Sequence, residues 1–312
     1  MKKNSGNKYL VVLGGATATG KTAAAVAVAR HFQTEIISAD SRQFYREMTI
    51  GTAKPSPEEL SAVPHHFINS LGIGQAYSVG DFEREALELL EVLFQKQDVV
   101  VLAGGSGLFI RGLCEGLDEY PESSPQVRQD LQQIFENQGI AALQEELRQL
   151  DPAYFQQVDL NNPQRLIRAL EVCRSSGKPF SSFQKSRQVE RPFTPVYILL
   201  QLDRAVLYEK INRRVDEMMR AGLLEEARQL FPFRQLNALQ TVGYQELFEY
   251  LEGNMSLERA VELIKQNTRR YAKRQETWFR KDAHWKVFSP ENADAIIQFA
   301  AGQMGSQCVK SD

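Results

Sequence analysis

Short apolar runs alternate with longer helical stretches toward both ends of the chain. The runs are rich in valine, isoleucine and leucine, which is typical of strands buried on both faces of a parallel sheet. The alternation predicts an α/β fold with a mostly parallel sheet and right-handed crossovers. The five predicted strands are Tyr9–Leu13, Glu35–Ala39, Asp98–Ala103, Val196–Leu202 and a final run near Trp285–Phe288.

Four stretches repeat apolar residues at helical spacing. Asp81 and Asp203 stand at the start of two of them and are predicted N-caps, because a carboxylate accepts hydrogen bonds from the free amides of a first helical turn. Gly222 is predicted to end the helix after Asp203, since glycine readily adopts a left-handed conformation. The predicted helices are Thr22–Phe32, Asp81–Gln95, Asp203 to about Ala221, and Leu257–Phe279.

The middle of the chain departs from this alternation. Two segments with loop composition, Asp118–Pro125 and Glu190–Pro195, enclose a region of helical periodicity in which no strand is predicted. We therefore expect a helical domain, residues 118–194, inserted between two parts of one α/β core, residues 1–117 and 195–312.

Composition and charge exclude several classes of protein. The 312 residues are 43% hydrophobic and 24% charged, which is close to an average globular protein and unlike a disordered or fibrous chain. The 37 basic and 39 acidic side chains give a net charge of -2, which excludes a globally basic nucleic-acid coat protein but not a local basic face. Three widely spaced cysteines, with no Cys-x-x-Cys pair, argue against a disulfide framework or a zinc ribbon.

The apolar runs are also too short for a membrane protein. The run Tyr9–Leu13 ends in glycines after five residues, so we interpret it as a strand and not as an export signal. No run approaches the roughly 18 apolar residues of a transmembrane helix. We expect a cytoplasmic protein that does not enter the membrane.

The segment after the first predicted strand reads GATATGKT and matches the pattern G-x-x-x-x-G-K-[ST]. It lies between a strand and a helix, as a P-loop requires. Its amides and the helix N-terminus can surround an anion, Lys21 adds a point charge, and the Thr22 hydroxyl can bind Mg²⁺. The motif indicates a polyphosphate, not specifically ATP, and favours a P-loop NTPase-like core. The residues of this phosphate cradle are Gly15, Ala16, Thr17, Ala18, Thr19, Gly20, Lys21 and Thr22.

Two further polar residues follow predicted strands and should face the same crevice. Asp40 can act as a general base, as a Mg²⁺ ligand or as a helix cap, and the residues alone leave these roles open. Ser106 follows Gly104-Gly105 and can donate to a phosphate, orient an acceptor or be an ordinary turn serine. The strand before Ser106 lacks the acidic Walker B residue that is usual in nucleotide hydrolases.

Positive charge is concentrated in two stretches. Residues 265–286 hold eight basic and two acidic side chains, interleaved with Tyr271, Trp278 and Phe279, and residues 163–191 hold seven basic and two acidic ones. Such stretches suit a nucleic-acid backbone with unstacked bases, or they form solvated helix faces.

Two adjacent pairs of residues allow a functional and a structural interpretation. Arg213 and Arg214 can neutralise a leaving polyphosphate. The pair His65 and His66 is not expected to bind a metal, because neighbours in a strand point to opposite faces and no cysteine or carboxylate stands at ligand spacing. The arginines also have potential salt-bridge partners in Glu209, Asp216 and Glu217.

Together these motifs resemble those of the tRNA dimethylallyltransferases, bacterial enzymes that prenylate adenosine in tRNA. The resemblance extends over about residues 9–285, and the combination is far more specific than a P-loop alone. It rests on GATATGKT (Gly15–Thr22), SADSRQFY (Ser38–Tyr45), IGTAKP (Ile50–Pro55), PHHFIN (Pro64–Asn69), AYSVGDF (Ala76–Phe82), GGSGLFI (Gly104–Ile110), NNPQRLIRALEV (Asn161–Val172), TVGYQEL (Thr241–Leu247) and YAKRQETWFR (Tyr271–Arg280).

The resemblance implies an activity and catalytic roles. Members of this family transfer the dimethylallyl group of dimethylallyl diphosphate to N6 of the adenosine immediately 3′ of the anticodon and release diphosphate. The cradle would bind this diphosphate, with Thr22 assisting Mg²⁺ as cofactor. Asp40 would hydrogen-bond the target amine as general base, and Ser106 would polarise the bridging oxygen or the diphosphate. Arg214, better aligned with the family's arginine than Arg213, would stabilise the leaving group.

The resemblance also implies a tRNA-binding surface. The helical insertion corresponds to the domain that grips tRNA in the family, and the target base must leave its stack to react. The expected partners are the tRNA anticodon stem-loop and dimethylallyl diphosphate, and the expected state is a monomer. The residues assigned to tRNA are Asp40, Ser41, Arg42, Gln43, Ser106, Arg128, Gln164, Arg165, Leu166, Ile167, Arg168, Gln240, Thr241, Val242, Gly243, Tyr244 and Gln245.

Four positions depart from the usual family pattern. Ala16 and Thr19 replace Pro and Ser in the cradle, Ser106 replaces Thr and keeps the hydroxyl, and Phe109 replaces Tyr and loses a hydrogen-bonding group.

Two other hypotheses stay open. A P-loop kinase of a small metabolite leaves the basic stretches unexplained, and a non-catalytic RNA-binding protein leaves Asp40 beside the cradle unexplained.

Overall fold

The buried apolar runs form one six-stranded sheet in a computed structural model of the protein, which describes residues 7–184, 189–281 and 284–305. The strands lie in the order β3-β2-β4-β1-β5-β6, and every neighbouring pair is parallel. The predicted α/β class and parallel sheet are therefore confirmed. The strands are β1 (Tyr9–Gly15), β2 (Ile36–Ser38), β3 (His65–His66), β4 (Val99–Gly104), β5 (Thr194–Leu200) and β6 (Lys286–Phe288).

The central strand β1 shows why this sheet is covered on both sides. Leu10 and Val12 face one hydrophobic core, whereas Val11 and Leu13 face another, and all four are fully buried. Successive residues of a strand point to opposite faces, so an unbroken apolar run needs packing partners above and below. Helices supply these partners on the two faces.

The helices alternate with the strands in the outer parts of the chain and follow one another in the middle. Among the described residues, no helix is both long and apolar enough to cross a membrane. The helices are α1 (Lys21–His31), α2 (Pro57–Ala62), α3 (Val79–Leu93), α4 (Gly107–Glu115), α5 (Pro125–Gln138), α6 (Ile140–Leu150), α7 (Pro152–Phe155), α8 (Pro163–Ser176), α9 (Arg204–Arg220), α10 (Leu223–Leu230), α11 (Tyr244–Leu251), α12 (Leu257–Phe279) and α13 (Ala293–Gly305).

The helix ends confirm one predicted cap and correct another. Asp203 Oδ1 accepts a hydrogen bond from Ala205 N at 2.8 Å, as predicted for the start of α9. The prediction for Asp81 was wrong, because the N-cap of α3 lies three residues earlier, at Ser78. The Asp81 carboxylate accepts a hydrogen bond from Ser78 N at 3.0 Å, which completes a capping box. Gly222, at φ 102°, ends α9 as predicted.

The chain divides into two compact units. The first comprises the residues up to Glu115 and from Glu190 onward, and the second comprises Gly116–Val189. The first unit holds the whole sheet, and its strand β5 begins at Thr194, the last residue of the predicted insertion. The second unit consists of α5–α8 with a short 3₁₀ turn at Phe180–Phe183, packed around leucines of α5, α6 and α8.

A further hydrophobic core in the first unit lies apart from the sheet. It joins α10, α11 and the first half of α12 to Tyr45 and Met48, which follow β2. Tyr244 and Met48 are fully buried there. This core supports the segment between β2 and α2, part of which lines the cavity described below.

The closest backbone approach in the sheet predicts a sensitive position. A Cβ at Gly104 would overlap the carbonyl group of Ala39, because the ends of β2 and β4 converge there. We expect Gly104→Ala to lower the free energy of unfolding by about 1–3 kcal/mol or more, the usual scale for overpacking. Urea denaturation with Gly74→Ala as control, where a Cβ has open space, measures this effect. Equal stability of the two variants would contradict the expectation.

Candidate active site

A cavity of about 610 Å³ lies in the first unit, where the carboxyl ends of β1 and β2 meet α9 and α12. Ligands of open parallel sheets bind at this end of the strands. Its wall comes from the phosphate cradle, the turn at Asp40–Gln43, the segment Gly51–Lys54, parts of α9 and α12, and the loop before α11.

The phosphate cradle connects β1 to α1, as the sequence predicts for a P-loop. Gly20 and Ala18 adopt left-handed conformations with φ of 89° and 63°, and such backbone costs a non-glycine residue roughly 1–2 kcal/mol. Neighbouring helices hold the loop in this shape, since Ala16 and Ala18 pack with Ile211 of α9 and Ala272 of α12. The free amides at the start of α1 follow directly, which suits an anion.

The lysine of the cradle donates to a backbone carbonyl of the same loop. Lys21 Nζ donates to Ala16 O at 2.7 Å, and Thr19 Oγ1 donates to the same carbonyl at 2.8 Å. Burial lowers the pKa of Lys21 to about 8, the Asp40 carboxylate raises it, and the Arg214 guanidinium lowers it further. The three side chains are therefore close enough to influence one another electrostatically.

Asp40 lies in a turn that Ser106 holds in place. Asp40 Oδ1 accepts from Arg42 N at 3.1 Å, and Ser106 Oγ accepts from Ser41 N at 3.1 Å. Asp40 lines the cavity, whereas Ser106 lies behind the turn and is absent from the wall. The predicted contact of Ser106 with a diphosphate stays a prediction, and its observed contact is with the backbone beside Asp40.

The structure separates the two adjacent arginines of α9. Arg214 lines the cavity, and burial lowers its pKa below the usual range. Arg213 points to solvent with 63% of its side chain exposed and lies 3.7 Å from Glu217. The salt-bridge alternative thus applies to Arg213, and Arg214 is the residue placed for a ligand in the cavity.

A partly buried carboxylate, Glu226, holds the wall segment that begins at Gly51, and it was not predicted from the sequence. Glu226 of α10 accepts hydrogen bonds from Thr49 N, Ile50 N and Gly51 N at 2.8–3.0 Å, and from Tyr244 Oη at 2.7 Å. Gly51 leaves no room for a side chain, because a Cβ would lie 2.6 Å from the Tyr244 ring. No local spacing signals this contact, since Glu226 lies 175 residues after Gly51.

Lys54 ends this wall segment and is partly buried. Its Nζ donates to Tyr45 O and Asn69 Oδ1, both at 2.6 Å. Burial lowers the pKa of Lys54 to about 8, although Glu226 and Glu47 oppose the shift. Lys54 was not among the predicted site residues, despite its place in the IGTAKP motif.

Most positions assigned to tRNA in the first unit line the cavity. They include the whole turn Asp40–Gln43 and, in the loop before α11, Gln240–Gly243 together with Gln245. Tyr244 is an exception, because its side chain is buried and its hydroxyl donates to Glu226. The Tyr244 side chain therefore supports the cavity wall in this structure, and the predicted tRNA contact of this residue stays a prediction.

In the second unit, the residues of α8 that were assigned to tRNA differ in burial. Gln164, Arg165 and Arg168 are exposed on α8, whereas Leu166 and Ile167 lie in the core of the unit. A helix with one buried face cannot expose five consecutive side chains, so side-chain contacts by Leu166 and Ile167 are excluded in this conformation. The exposed Arg128 and Arg168 both approach the buried Glu171 carboxylate at 3.4 Å.

The basic stretch on α12 combines structural and exposed charges. Lys265 pairs with Asp216 at 2.5 Å and Arg269 donates to Asn212 Oδ1 at 2.6 Å, so these two serve helix packing. Arg274 lines the cavity beside Tyr271, while Lys273 is exposed. In the two predicted stretches, Lys185, Arg187 and Asp282 lie outside the described residues.

The two histidines of β3 have separate partners. His65 Nδ1 lies 2.8 Å from Val63 O, and His66 Nε2 lies 2.6 Å from Glu35 Oε2. Across the described ranges, no group of three or more His, Cys, Asp or Glu side chains is arranged as a metal site. Cys114 and Cys173 are buried thiols, and Cys308 lies outside the described residues.

The sheet order and the cradle place the chain among α/β proteins with a P-loop NTPase-like fold. Within this class, β4 ends in small residues and not in a Walker B acid. The chain belongs to the IPP transferase family, whose model matches residues 43–282.

Relatives at several distances agree with this assignment. The tRNA dimethylallyltransferase of Christiangramia forsetii is 52% identical over 301 residues, which cover 96% of this chain and 100% of the relative. The crystal structure of the full-length tRNA isopentenylpyrophosphate transferase from Bacillus halodurans is 35% identical, with a TM-score of 0.72 over 96% of this chain and 98% of that chain. A eukaryotic dimethylallyltransferase, crystallised in the course of acting on tRNA, is 25% identical, with a TM-score of 0.75 over 90% of this chain and 74% of that chain.

The carboxylate of Glu226 offers a test of how the cavity wall is held. Glu226→Gln replaces one acceptor oxygen by an NH₂ group that faces backbone donors. We expect the free energy of unfolding to fall by about 1–3 kcal/mol, the scale of a hydrogen bond to a charged group, because the new NH₂ group cannot accept from the donors that it faces. Urea denaturation measures the loss. The neighbouring Glu225→Gln, on an exposed side chain, is the control and should stay within 0.5 kcal/mol, on the order of an ordinary surface change. Similar losses in both variants would contradict this account.

Proposed function

We propose that this protein is a tRNA dimethylallyltransferase that acts on the adenosine immediately 3′ of the anticodon. The dimethylallyl group of dimethylallyl diphosphate moves to the N6 amine of that adenosine, and diphosphate is released. The single observation that carries the proposal is one cavity in which a phosphate cradle, two partly buried cations and the Asp40 carboxylate meet an apolar wall.

The apolar wall suits a short isoprenoid chain. It comes from α9, α10, α12 and the loop before α11, while the cradle lies at the end of β1, so the cavity offers both a charged and an apolar surface. A cavity of 610 Å³ falls in the usual range for a small-molecule site. The apolar wall residues are Ile211, Val215, Met218, Leu223, Val242 and Ile264.

The reaction follows from these groups. The N6 lone pair attacks the allylic C1 of the donor, the C1–O bond breaks, and its electron pair passes to the bridging oxygen of the diphosphate. Asp40 accepts the proton that the amine loses. Lys21, Arg214 and the amides of the cradle stabilise the negative charge that develops on the leaving group.

Mg²⁺ fits the same donor set. Thr22 lines the cavity at the start of α1, and its hydroxyl is a hard oxygen ligand of the kind that Mg²⁺ prefers together with phosphate oxygens. The ion would add positive charge at the diphosphate. We therefore propose Mg²⁺ as cofactor, with Thr22 as its protein ligand.

The tRNA anticodon stem-loop is the proposed second substrate. The wall residues Asp40–Gln43 and Gln240–Gly243 would surround an extruded adenine, since extrusion from a single-stranded loop costs only a few kcal/mol. In the second unit, the exposed Arg128, Arg165 and Arg168 would contact the phosphate backbone. We propose that the enzyme acts as a monomer in the cytoplasm.

The role of Asp40 can be separated from RNA binding. Asp40→Asn keeps an oxygen for the hydrogen bond from Arg42 N but no longer accepts the proton of the amine. We expect turnover to fall by roughly 10²–10⁴-fold, the scale of general-base catalysis, with little change in tRNA affinity. Mass spectrometry of an anticodon stem-loop incubated with dimethylallyl diphosphate and Mg²⁺ measures the transfer.

Asp98→Asn is a control, because Asp98 is 63% exposed and pairs with Lys8 away from the cavity. Equal losses of turnover and tRNA affinity in Asp40→Asn would assign Asp40 to RNA binding. Absence of transfer by the unmodified enzyme, together with phosphorylation of a small alcohol by ATP, would favour a kinase.

Arg214 and Arg213 form a matched pair on one helix. Arg214→Gln removes a cation from the cavity wall, so we expect the rate of transfer to fall by about 10²–10³-fold, as for other groups that stabilise developing charge. Arg213→Gln removes an exposed charge and should leave the rate within about twofold, on the scale of a weak surface ion pair. Single-turnover rates at saturating substrate provide the comparison. The opposite ranking would assign the leaving-group role to Arg213.

A further inference from the structure

Gln275 on α12 makes two buried hydrogen bonds that join separate parts of the active site. Its Oε1 accepts from Thr17 N at 2.8 Å, and its Nε2 donates to Gly105 O at 2.9 Å. The residue is 7% exposed. One amide group therefore satisfies a donor in the phosphate cradle and an acceptor in the turn after β4.

The turn after β4 continues this connection to the general base. Ser106 follows Gly105 directly, and its Oγ accepts from Ser41 N next to Asp40. Ser106 N also donates to Ala39 O at 3.2 Å. Hydrogen bonds and the peptide link between Gly105 and Ser106 thus connect Thr17 in the cradle to the Asp40 turn, with Gln275 as the side-chain link.

This link requires a side chain that has both a hydrogen-bond acceptor and a hydrogen-bond donor, as an amide does. Thr17 N is a donor and Gly105 O is an acceptor, so the side chain between them must accept at one end and donate at the other. An ionised carboxylate has no donor for Gly105 O, and an apolar side chain leaves both groups unpaired. Leaving such buried groups unpaired lowers the stability of the fold. A displaced catalytic loop also lowers the reaction rate, because the reacting groups are no longer correctly positioned.

We propose that Gln275 is a positioning residue that fixes the phosphate cradle relative to the Asp40 turn, and so sets the distance between the leaving group and the general base. The inference rests on the proposed function. Because Gln275 holds Thr17 N, this amide stays oriented by the protein, and the remaining cradle amides and Lys21 are left for the diphosphate.

Three variants test the link by different means. Gln275→Leu removes both hydrogen bonds. Gln275→Glu keeps the acceptor and regains a donor only when the new carboxyl is protonated. Gly105→Ala leaves residue 275 unchanged but places a Cβ against its Nε2, at a glycine whose φ is not in the left-handed range. The control is Thr34→Val, which removes a buried hydrogen bond to Val99 O at the amino ends of the strands.

We expect kcat/KM for dimethylallyl diphosphate to fall by about 10²-fold in Gln275→Leu, the scale of a 1 Å misplacement, and by a similar factor in Gly105→Ala. The Kd for the anticodon stem-loop should stay within about twofold in both variants, because the hydrogen-bond partners of Gln275 are backbone groups of the protein and the phosphate contacts that dominate RNA affinity are unchanged. Thr34→Val should lose thermal stability and keep its kcat/KM.

The pH profile of Gln275→Glu gives a readout that general destabilisation does not produce. At low pH the neutral carboxyl donates to Gly105 O and mimics the amide, so the activity relative to the unmodified enzyme should be highest there. It should fall as pH rises and the carboxyl ionises. Burial raises the pKa of such a carboxyl, which brings the change toward neutral pH. Lys21, Asp40, Tyr271 and Arg274 line the same cavity, and the ratio to the unmodified enzyme at each pH cancels their own titration.

Unchanged kcat/KM in Gln275→Leu, or a Gln275→Glu defect that is the same at every pH, would overturn the inference. Calorimetric binding of inorganic diphosphate with Mg²⁺ separates this failure from that of the proposed function. If the unmodified enzyme binds diphosphate without prenylating RNA, the proposed function fails. The inference then stands if Gln275→Leu weakens diphosphate binding at least tenfold, the effect of one lost charge-assisted contact, and falls if the affinity is unchanged.

Discussion

The active site depends on how closely the carboxyl ends of β2 and β4 approach each other. With no side chain at Gly104, Ala39 N donates to Ala103 O at 2.8 Å and Ser106 N donates to Ala39 O at 3.2 Å. These backbone bonds set the Asp40 turn beside β4, whose other neighbour β1 carries the phosphate cradle. The sheet ladder therefore fixes the strand ends that carry the cradle and the carboxylate, and Gln275 joins the loops that extend beyond those ends.

The electrostatics of the cavity explain a P-loop without a Walker B acid. Lys21 and Arg214 are desolvated, and burial disfavours the charged form of both. Internal groups relieve this only in part, because Lys21 donates to a neutral carbonyl and not to a carboxylate. In the proposed reaction, the diphosphate would supply negative charge beside these two cations. An additional acid at the end of β4 would neutralise these cations and weaken their attraction for a polyanion.

Features that depend on neighbouring residues could be predicted from the sequence. Contacts between residues far apart in the chain could not. The bounds of α12, the cap at Asp203 and the loop between β1 and α1 follow from short-range patterns and were predicted. The start of α3 was misplaced because Ser78 and Asp81 both suit a cap, and the capping box settles the choice. Glu226 and Gln275 were missed because their partners lie 175 and 258 residues away in the chain.

These distant contacts have a consequence for synthesis in the cell. The complete P-loop motif leaves the ribosome within the first tenth of the chain, yet the side chain that ties Thr17 to Gly105 belongs to one of the last helices. The wall segment at Gly51 likewise depends on contacts with α10 and α11, which are synthesised much later. Domains usually form as their residues emerge. Here the nascent chain carries a recognisable nucleotide-type motif long before it holds a finished pocket, so a prematurely terminated product keeps the motif and lacks the site.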